Sequence, residues 1–312
     1  MNYLVMGAGA LGSVFGGLLA EKGHDVTFVG LDDHLKAMRS RGLTVTGIWG
    51  EHVIPEVRAF YGTEDLEGVF DVVLLSVKSY LTGDVIRQTL PFITPETLIF
   101  SIQNGLGNWE AIAEVVGWEK TVGARVIFGA EIKAPGTACV TVYADKVLLG
   151  SPAGMVPEQR IQDVCDDLND AGIPTAISEA IESSLWGKVL YNCSLNPLGA
   201  ILNVPYGRLQ ETPEVLDVMH RIIEEIFLIA ARKGIALSYG SPEEYYRFLI
   251  DTQLPPTSTH RSSMLQDMGL GRRTEIDALN GAISRYGKEL GVPTPVNDVI
   301  TAIIRGLESR AD

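Results

Sequence analysis

The chain has 312 residues, of which 46% are apolar, and its formal net charge is −14 at pH 7. This length and apolar content allow two domains with sizeable cores and exclude a disordered chain. The acidic balance argues against nonspecific nucleic-acid binding and against attachment to anionic lipid, because both need basic surface. An anionic small molecule can still bind at a local basic group.

The cysteines and histidines predict neither a metal site nor a disulfide framework. Cys139, Cys165 and Cys193 are scattered and lack metal-ligand spacing, and the five histidines form no ligand motif. Unpaired cysteines fit a reduced, cytoplasmic compartment. No apolar run approaches the roughly 18 residues of a membrane span, and the first apolar stretch lacks the basic leader of a signal peptide. We therefore expect no membrane attachment.

A glycine fingerprint follows the first predicted strand, Asn2 to Met6. It comprises Gly7, Ala8, Gly9, Ala10, Leu11 and Gly12. In this G-x-G-x-x-G spacing, Gly7 makes the tight turn, Gly9 lets a pyrophosphate approach the backbone, and Gly12 lets the next helix pack closely. The pattern between strand and helix predicts a dinucleotide site. The alternative is an ordinary glycine-rich turn.

The rest of the first half alternates strand and helix patterns. Strands are predicted over residues 24–29, 71–77, 97–102, 121–128 and 139–149, and a helix over 34–41. Apolar runs of this kind are typical of parallel strands that are buried on both faces. The pattern predicts a Rossmann-type α/β domain with helices on both faces of a parallel sheet.

The second half has a different character. Long segments with helical apolar periodicity cover residues 183–203, 213–233, 242–249, 274–290 and 297–309. We therefore predict a Rossmann-like domain over residues 1–175, followed by an all-helical substrate and catalytic domain over residues 176–312.

Polar residues follow three of the predicted strands, where open α/β sheets bind ligands. Lys78 and Asn104 follow the third and fourth of the predicted strands, and Asp32 and Asp33 follow the second. An acid at the latter place often accepts from the ribose 2′-hydroxyl of NAD. The alternatives are a helix cap for Asp32 or Asp33, a solvated lysine, and a plain turn at Asn104.

Two polar groups stand out in the helical half. Lys188, Asn192 and Asn196 recur every four residues and therefore form one stripe on a helix, among mostly apolar neighbours. They could bind a ligand, or they could be a snorkelling lysine and two amides that tie helices together. The second group, residues 260–281, contains Ser263 and Glu275. Its alternative is loop and cap chemistry, with Thr274 capping the helix that contains Glu275.

Taken together, these motifs resemble the ketopantoate reductases (2-dehydropantoate 2-reductases) over nearly the whole chain. The shared motifs are GAGALG at residue 7, S-V-K at 76, Q-N-G at 103, K-x-x-x-N-x-x-x-N-P at 188, S-S-M-L-Q-D at 262, and T-E-I-D at 274 with N-G at 280. The resemblance implies reduction of ketopantoate to pantoate, in pantothenate and coenzyme A biosynthesis, by hydride transfer from NADPH.

The resemblance also implies residue roles. Lys188 would be the general acid beside the ketone, and Glu275 would support it. Asn192, Asn196 and Ser263 would bind the substrate, with Ser263 on its carboxylate. Lys78 and Asn104 would lie at the cofactor and the mouth of the active site.

Some residues depart from the family pattern. Leu31, followed by Asp32 and Asp33, stands where many members have an arginine for the NADP 2′-phosphate, so NADH competes seriously with NADPH. NADPH remains the expectation, because Arg39, Arg41 or Lys78 could compensate. Tyr206 and His260 stand where asparagines are common, so another 2-keto acid is an alternative.

Other interpretations of the function remain open. A β-hydroxyacid dehydrogenase would have the same general design. A dinucleotide sensor without turnover would leave the Lys188 stripe unexplained. The helical half could also offer an apolar face to a homodimer.

Overall fold

A computed structural model describes residues 1–309 of the chain. The chain divides into two compact units. The first comprises residues 1–104 and 108–181, and the second comprises Gly105–Gly107 and the residues from Glu182 onward. Strand pairing keeps residues 175–177 in the first unit, so the expected boundary at 175/176 would cut through a strand.

The first unit contains two sheets. Its strands are β1 (Asn2–Met6), β2 (Asp25–Val29), β3 (Leu43–Gly47), β4 (His52–Ile54), β5 (Arg58–Phe60), β6 (Phe70–Leu75), β7 (Ile93–Ser101), β8 (Thr121–Arg125), β9 (Phe128–Ala134), β10 (Thr137–Tyr143), β11 (Val147–Gly150) and β12 (Thr175–Ile177). The larger sheet has the order β12-β11-β8-β7-β6-β1-β2-β5, and the smaller has the order β4-β3-β10-β9.

Helices pack on the larger sheet and make up the second unit. They are α1 (Ala10–Glu21), α2 (Asp33–Arg41), α3 (Thr82–Thr89), α4 (Asn108–Val116), α5 (Glu158–Asp170), α6 (Ile181–Leu202), α7 (Pro213–Lys233), α8 (Pro242–Phe248), α9 (Ser263–Gly269), α10 (Asn280–Leu290) and α11 (Pro295–Glu308). This confirms the predicted fold class. None of the helices within residues 1–309 combines the length and apolar character that crossing a membrane requires.

Burial explains why β1, β6 and β7 form the centre of the larger sheet. Each carries a run of at least four buried residues, such as Val72 to Leu75 and Leu98 to Ser101. Such runs are typical of strands that are covered on both faces. Their side chains divide between two apolar clusters, one containing Tyr3 and Val5 and the other containing Leu4 and Met6.

The smaller sheet was not predicted, and the larger sheet is not wholly parallel. β8 pairs with β11 in the antiparallel direction, whereas β3 pairs in the parallel direction with β10, which lies far along the chain. The predicted strands over 121–128 and 139–149 each divide into two. The division occurs because β9 and β10 form a hairpin around Pro135-Gly136 in the smaller sheet, while β8 and β11 remain in the larger one.

His34, in the first turn of α2, is 3% exposed. Its Nε2 lies 2.9 Å from Ser13 Oγ, and its Nδ1 accepts a hydrogen bond of 2.9 Å from the Gly136 N–H. An Nδ1 that accepts cannot carry a proton, so the folded protein holds the neutral ring. Burial is the main cause that lowers the pKa of His34, and the carboxylate of Asp32 opposes it.

Folding stability should therefore fall below about pH 6.5, the ordinary histidine pKa, because the unfolded ring binds a proton there and the folded ring does not. The loss from His34 is at most about 1.4 kcal/mol for each pH unit. Urea unfolding at pH 7.5 and 5.5 should show a smaller acid-induced loss in His34→Leu than in the unmodified protein. The partly exposed His220 provides the control His220→Ala. An unchanged pH dependence in His34→Leu would show that the ring does not contribute.

Candidate active site

The glycine fingerprint lies where the larger sheet reverses its strand order. β1 is flanked by β2 on one side and β6 on the other, so the crevice at the carboxyl ends of β1 and β6 is the expected ligand position. Gly7 has a φ of +101°, and a Cβ there would meet Val77. The Ser76 hydroxyl donates to the Gly7 carbonyl at 2.5 Å, which joins the fingerprint to the loop after β6.

Gly9 and Gly12 have different surroundings. A Cβ on Gly12 would clash with the Gly7 carbonyl, whereas a Cβ on Gly9 would have no neighbour within 4 Å. The first N–H groups of α1 have no intrahelical partners, and Gly9, its N-cap, has no side chain that could accept from them. Open space beside Gly9 and unsatisfied N–H groups at a helix N-terminus suit a pyrophosphate.

This difference predicts that one alanine substitution lowers stability and the other lowers dinucleotide affinity. Gly12→Ala should destabilise the first unit by about 1–3 kcal/mol, because the methyl group overpacks against backbone. Gly9→Ala should keep the melting temperature but weaken dinucleotide binding by about tenfold, the equivalent of one lost charge-assisted hydrogen bond. Thermal melts and fluorescence titration with NADH check both. Equal losses of stability in the two variants would contradict this account of the loop.

Lys78 and Asn104 follow neighbouring strands and are both half-buried. Register pairs Met6 with Leu75 and Leu75 with Ser101, so the loops after β1, β6 and β7 share one edge of the sheet. Lys78 immediately precedes a short 3-10 turn. The structure therefore places Lys78, Asn104 and the fingerprint at the same end of the first unit.

Gln103 is the residue between these loops to which sequence reasoning assigned no role. Its buried carboxamide donates to the Val77 carbonyl at 2.8 Å and to the Thr82 hydroxyl at 2.8 Å, and it accepts from Ser101 at 3.1 Å. The Thr82 hydroxyl in turn donates to Asn108. These bonds fix the backbone next to Lys78. The signal in the sequence was a polar amide directly after a buried strand.

Asp32 is a helix cap. Its Oδ1 accepts from the Leu35 N–H at 3.0 Å at the start of α2, while Leu31 is 84% exposed. Both acids, Asp32 and Asp33, thus lie at the sheet edge where the ribose of a dinucleotide binds in this fold. Capping occupies one carboxylate oxygen and leaves the negative charge in place.

Arg39 and Arg41, two of the three cations expected to compensate, have different surroundings. Both lie in the last turn of α2, about 9 Å or more along the helix from Asp33. Arg39 lies over the ring of Tyr61, and Arg41 donates to the Pro135 carbonyl at 3.3 Å. Tyr61 directly follows β5, which pairs in parallel with β2, so the Arg39 guanidinium lies near the carboxyl edge of the sheet, whereas Arg41 lies against the hairpin of the smaller sheet.

The second unit presents the predicted stripe on α6. Lys188 is half-buried, and Asn192 and Asn196 are 8% and 6% exposed. The Tyr206 hydroxyl donates to Asn196 Oδ1 at 2.5 Å. Within residues 1–309, the Asn192 carboxamide has no hydrogen-bond partner, although it is not sealed from solvent. A nearly buried amide of this kind needs a ligand or water as partner.

The two serines that precede α9 have different environments. Ser262 is fully buried, accepts from the Leu265 N–H at 3.1 Å as the helix cap, and donates to the Asn196 carbonyl at 3.3 Å. Ser263, the first residue of α9, is exposed. Ser262 therefore ties α9 to α6, and Ser263 keeps its hydroxyl on the surface of the unit.

Glu275 does not lie within an α-helix, contrary to expectation. It immediately precedes a 3-10 turn, Ile276–Ala278, and α10 begins only at Asn280. The Thr274 hydroxyl accepts from the Ile276 N–H at 3.2 Å at the start of this short turn, so it does not cap an α-helix that contains Glu275. Glu275 is half-buried.

The two departures from the family pattern, Tyr206 and His260, are neighbours, and Tyr206 contacts Asn196. The rings of Tyr206 and His260 lie 5.2 Å apart, and the rings of Tyr206 and Tyr191 lie 5.9 Å apart. Burial raises the pKa of Tyr206 well above its ordinary value, so the phenol stays protonated and donates. An aromatic group thus borders one end of the α6 stripe.

A mostly parallel sheet with a dinucleotide fingerprint, joined in one chain to helices with a lysine and amide stripe, defines the class of protein as a nicotinamide-dependent oxidoreductase. Comparison with known families assigns the chain more narrowly. The family described as ketopantoate reductase PanE/ApbA matches residues 3–154, and its C-terminal part matches residues 180–308. The chain belongs to the ketopantoate reductase family.

Relatives and solved structures agree with this assignment. The 2-dehydropantoate 2-reductase of Aquifex aeolicus (strain VF5) is 38% identical over 308 residues, which are 99% of this chain and 97% of that protein. A ketopantoate reductase from Ralstonia eutropha JMP134 is 30% identical, with a TM-score of 0.87 over 100% and 99% of the two chains. D-mandelate dehydrogenase with NADH and anilino(oxo)acetate is 28% identical, with a TM-score of 0.90 over 100% and 99%.

Proposed function

We propose that this chain reduces 2-dehydropantoate (ketopantoate) to pantoate, a step of pantothenate and coenzyme A biosynthesis. The observation that carries the proposal is the α6 stripe, a half-buried lysine followed by two nearly buried asparagines. Relatives that bear the reductase name span almost the whole chain, which supports the same reaction.

Lys188 is the proton donor in this proposal. The nicotinamide, when bound, supplies hydride to the keto carbon, and negative charge then develops on the keto oxygen. An ammonium group that donates to this oxygen stabilises the charge and delivers the proton. Burial favours the neutral form of a lysine, and a carboxylate opposes that effect. Glu275, in the same unit, is the carboxylate proposed for this role.

The polar side chains of the second unit suit a small hydroxylated keto acid. Asn192 has hydrogen-bonding capacity to spare, and Asn196 retains its Nδ2 after accepting from Tyr206. We assign Asn192 and Asn196 to the substrate hydroxyl and keto groups. The exposed Ser263 hydroxyl, at the positive N-terminus of α9, is assigned to the carboxylate.

The first unit is the dinucleotide-binding part of the proposal. Gly7 to Gly12 bind the pyrophosphate, and Lys78 and Asn104 contact the cofactor from the neighbouring loops. NADH is proposed as the preferred cofactor, in place of the NADPH that the resemblance implied. Asp32 and Asp33 repel a 2′-phosphate, and the exposed Leu31 offers it no cation.

A second candidate substrate is an aromatic 2-keto acid. It is favoured by the Tyr206 ring beside Asn196, which the Tyr191 and His260 rings adjoin, and by the likeness to a D-mandelate dehydrogenase structure. Aromatic rings of this kind stack on an aryl group with offset or edge-to-face geometry.

A substrate panel tests these alternatives. NADH and NADPH oxidation should be followed with ketopantoate, 2-oxoisovalerate, pyruvate, oxaloacetate and phenylglyoxylate. The proposal predicts the highest kcat/KM with ketopantoate. A preference for phenylglyoxylate would establish the second candidate, and dinucleotide binding without turnover on any keto acid would indicate a sensor.

A further inference from the structure

Pro197, directly after Asn196, interrupts the hydrogen bonding of α6 at the end of the stripe. A helical N–H normally donates to the carbonyl four residues earlier, and proline has no N–H. The Cys193 carbonyl thus loses its ordinary donor, although α6 continues to Leu202. Asn280, the first residue of α10, replaces it, because its Nδ2 donates to the Cys193 oxygen at 3.2 Å.

Asn280 is held by a chain of polar contacts that ends at a carboxylate. Its Nδ2 also donates to Asn297 Oδ1 at 3.0 Å, and Asn297 Nδ2 donates to Glu225 at 2.6 Å. Glu225, on α7, further accepts from the backbone N–H groups of Val296 and Asn297 at the start of α11. Four helices are thus linked from α7 through α11 and α10 to α6.

The carboxylate fixes the direction of every bond in this chain. An ionised carboxylate only accepts, so the Asn297 NH2 group must face Glu225 and its carbonyl oxygen must face Asn280. That oxygen in turn requires the NH2 group of Asn280, which then also reaches Cys193. Asn280 and Asn297 are both fully buried, so water does not substitute for either partner.

The hydrogen bond from Asn280 to the Cys193 carbonyl joins two segments that carry proposed site residues. Cys193 directly follows Asn192, and Asn280 lies five residues after Glu275. We infer that Asn280 is a positioning residue for the proposed reaction. By occupying the carbonyl that Pro197 leaves without a donor, it holds the α6 stripe in register with the segment that carries Glu275. This inference rests on the proposed function.

A double-mutant cycle between Asn280 and Pro197 tests it. Asn280→Ala should lower kcat/KM for ketopantoate by roughly ten- to a hundredfold, as expected for a small misplacement of reacting groups. The fall should be mostly in kcat, with the Kd for NADH within about twofold of the unmodified value. In a Pro197→Ala background, the new alanine supplies the missing backbone N–H. Asn280→Ala should then lower kcat/KM for ketopantoate only a few-fold.

Thermal melting of the same four proteins reports on the hydrogen bond without any substrate. The losses in melting temperature should be non-additive, with the smaller effect of Asn280→Ala in the Pro197→Ala background. Asn169→Ala provides the control, since Asn169 donates to the Cys165 and Thr175 carbonyls in the other unit. The losses in melting temperature from Asn169→Ala and Pro197→Ala should add.

The outcomes separate the two proposals. Equal effects of Asn280→Ala in both backgrounds, on melting and on kcat/KM, would overturn the positioning inference while leaving ketopantoate reduction intact. A thermal coupling without any change of kcat/KM would also overturn it, because the bond would then serve stability alone. Failure of the unmodified protein to reduce ketopantoate would overturn the proposed function, and the cycle would then be measured with the keto acid that is turned over.

Discussion

Replacing Lys188 with alanine should lower kcat for ketopantoate reduction by about 10²–10⁴-fold, the range typical of general acid–base catalysis. The physical reason is that the developing alkoxide loses both the ammonium charge and its proton donor. Binding of NADH should remain nearly unchanged, because the fingerprint that the proposal assigns to the dinucleotide belongs to the first unit. Steady-state kinetics and fluorescence titration of NADH give the two quantities separately.

A matched control is available in the same unit. Lys288 is an exposed lysine of α10, and Lys288→Ala should retain normal turnover. If Lys188→Ala turned over at the normal rate, the lysine would not be the acid. If it lost NADH binding and turnover together, the substitution would have disturbed the fold, and a melting curve would show this directly.

The second large effect concerns the choice between NADH and NADPH. The double substitution Leu31→Arg with Asp32→Ser should raise the ratio of kcat/KM for NADPH over NADH by roughly ten- to a hundredfold. One charge-assisted hydrogen bond to the 2′-phosphate, worth about 1.5–3 kcal/mol, is sufficient for such a change. Serine retains the capping ability of the native Asp32.

The conservative control for this swap is Asp32→Asn. It keeps a capping side chain and removes only the charge, so we expect a smaller gain with NADPH than in the double variant. Kinetics with both cofactors at equal, subsaturating concentrations measure the ratio. An unmodified protein that already prefers NADPH strongly would contradict the assignment of the acids to the ribose.

Some features of the fold were predictable because the chemistry is local. The β1–fingerprint–α1 segment is encoded by three glycines at fixed spacing, and the predicted bounds of α7, 213–233, match the structure. α7 begins with Pro213 and ends before Gly234, which has a φ of +75°, and both residues are strong signals for helix ends.

The smaller sheet could not be predicted in the same way. β3 and β4 contain only five and three residues, and β3 is completed by a parallel partner, β10, far along the chain. Short strands gain their stability from cross-strand contacts, which a local pattern does not contain. The predicted helix at 274–290 ends where α10 ends but starts six residues too early, because residues 276–278 form a 3-10 turn before α10 begins at Asn280.

The candidate site shows the same distinction. Periodicity alone gave the stripe of Lys188, Asn192 and Asn196 on one helix, since α6 runs without a break from Ile181 to Leu202. The bond from Tyr206 to Asn196 and the bond from Asn280 to the Cys193 carbonyl join different elements. Such contacts depend on tertiary packing, so only the structure reveals them.

The most direct test of the account is the transfer of deuterium from NADH that is dideuterated at carbon 4 of the nicotinamide. Incubation with ketopantoate and the unmodified protein should give pantoate that carries one deuterium on carbon 2, as mass spectrometry would show. Pantoate formed without deuterium, or no pantoate despite tight NADH binding, would contradict hydride transfer to the keto acid by this chain.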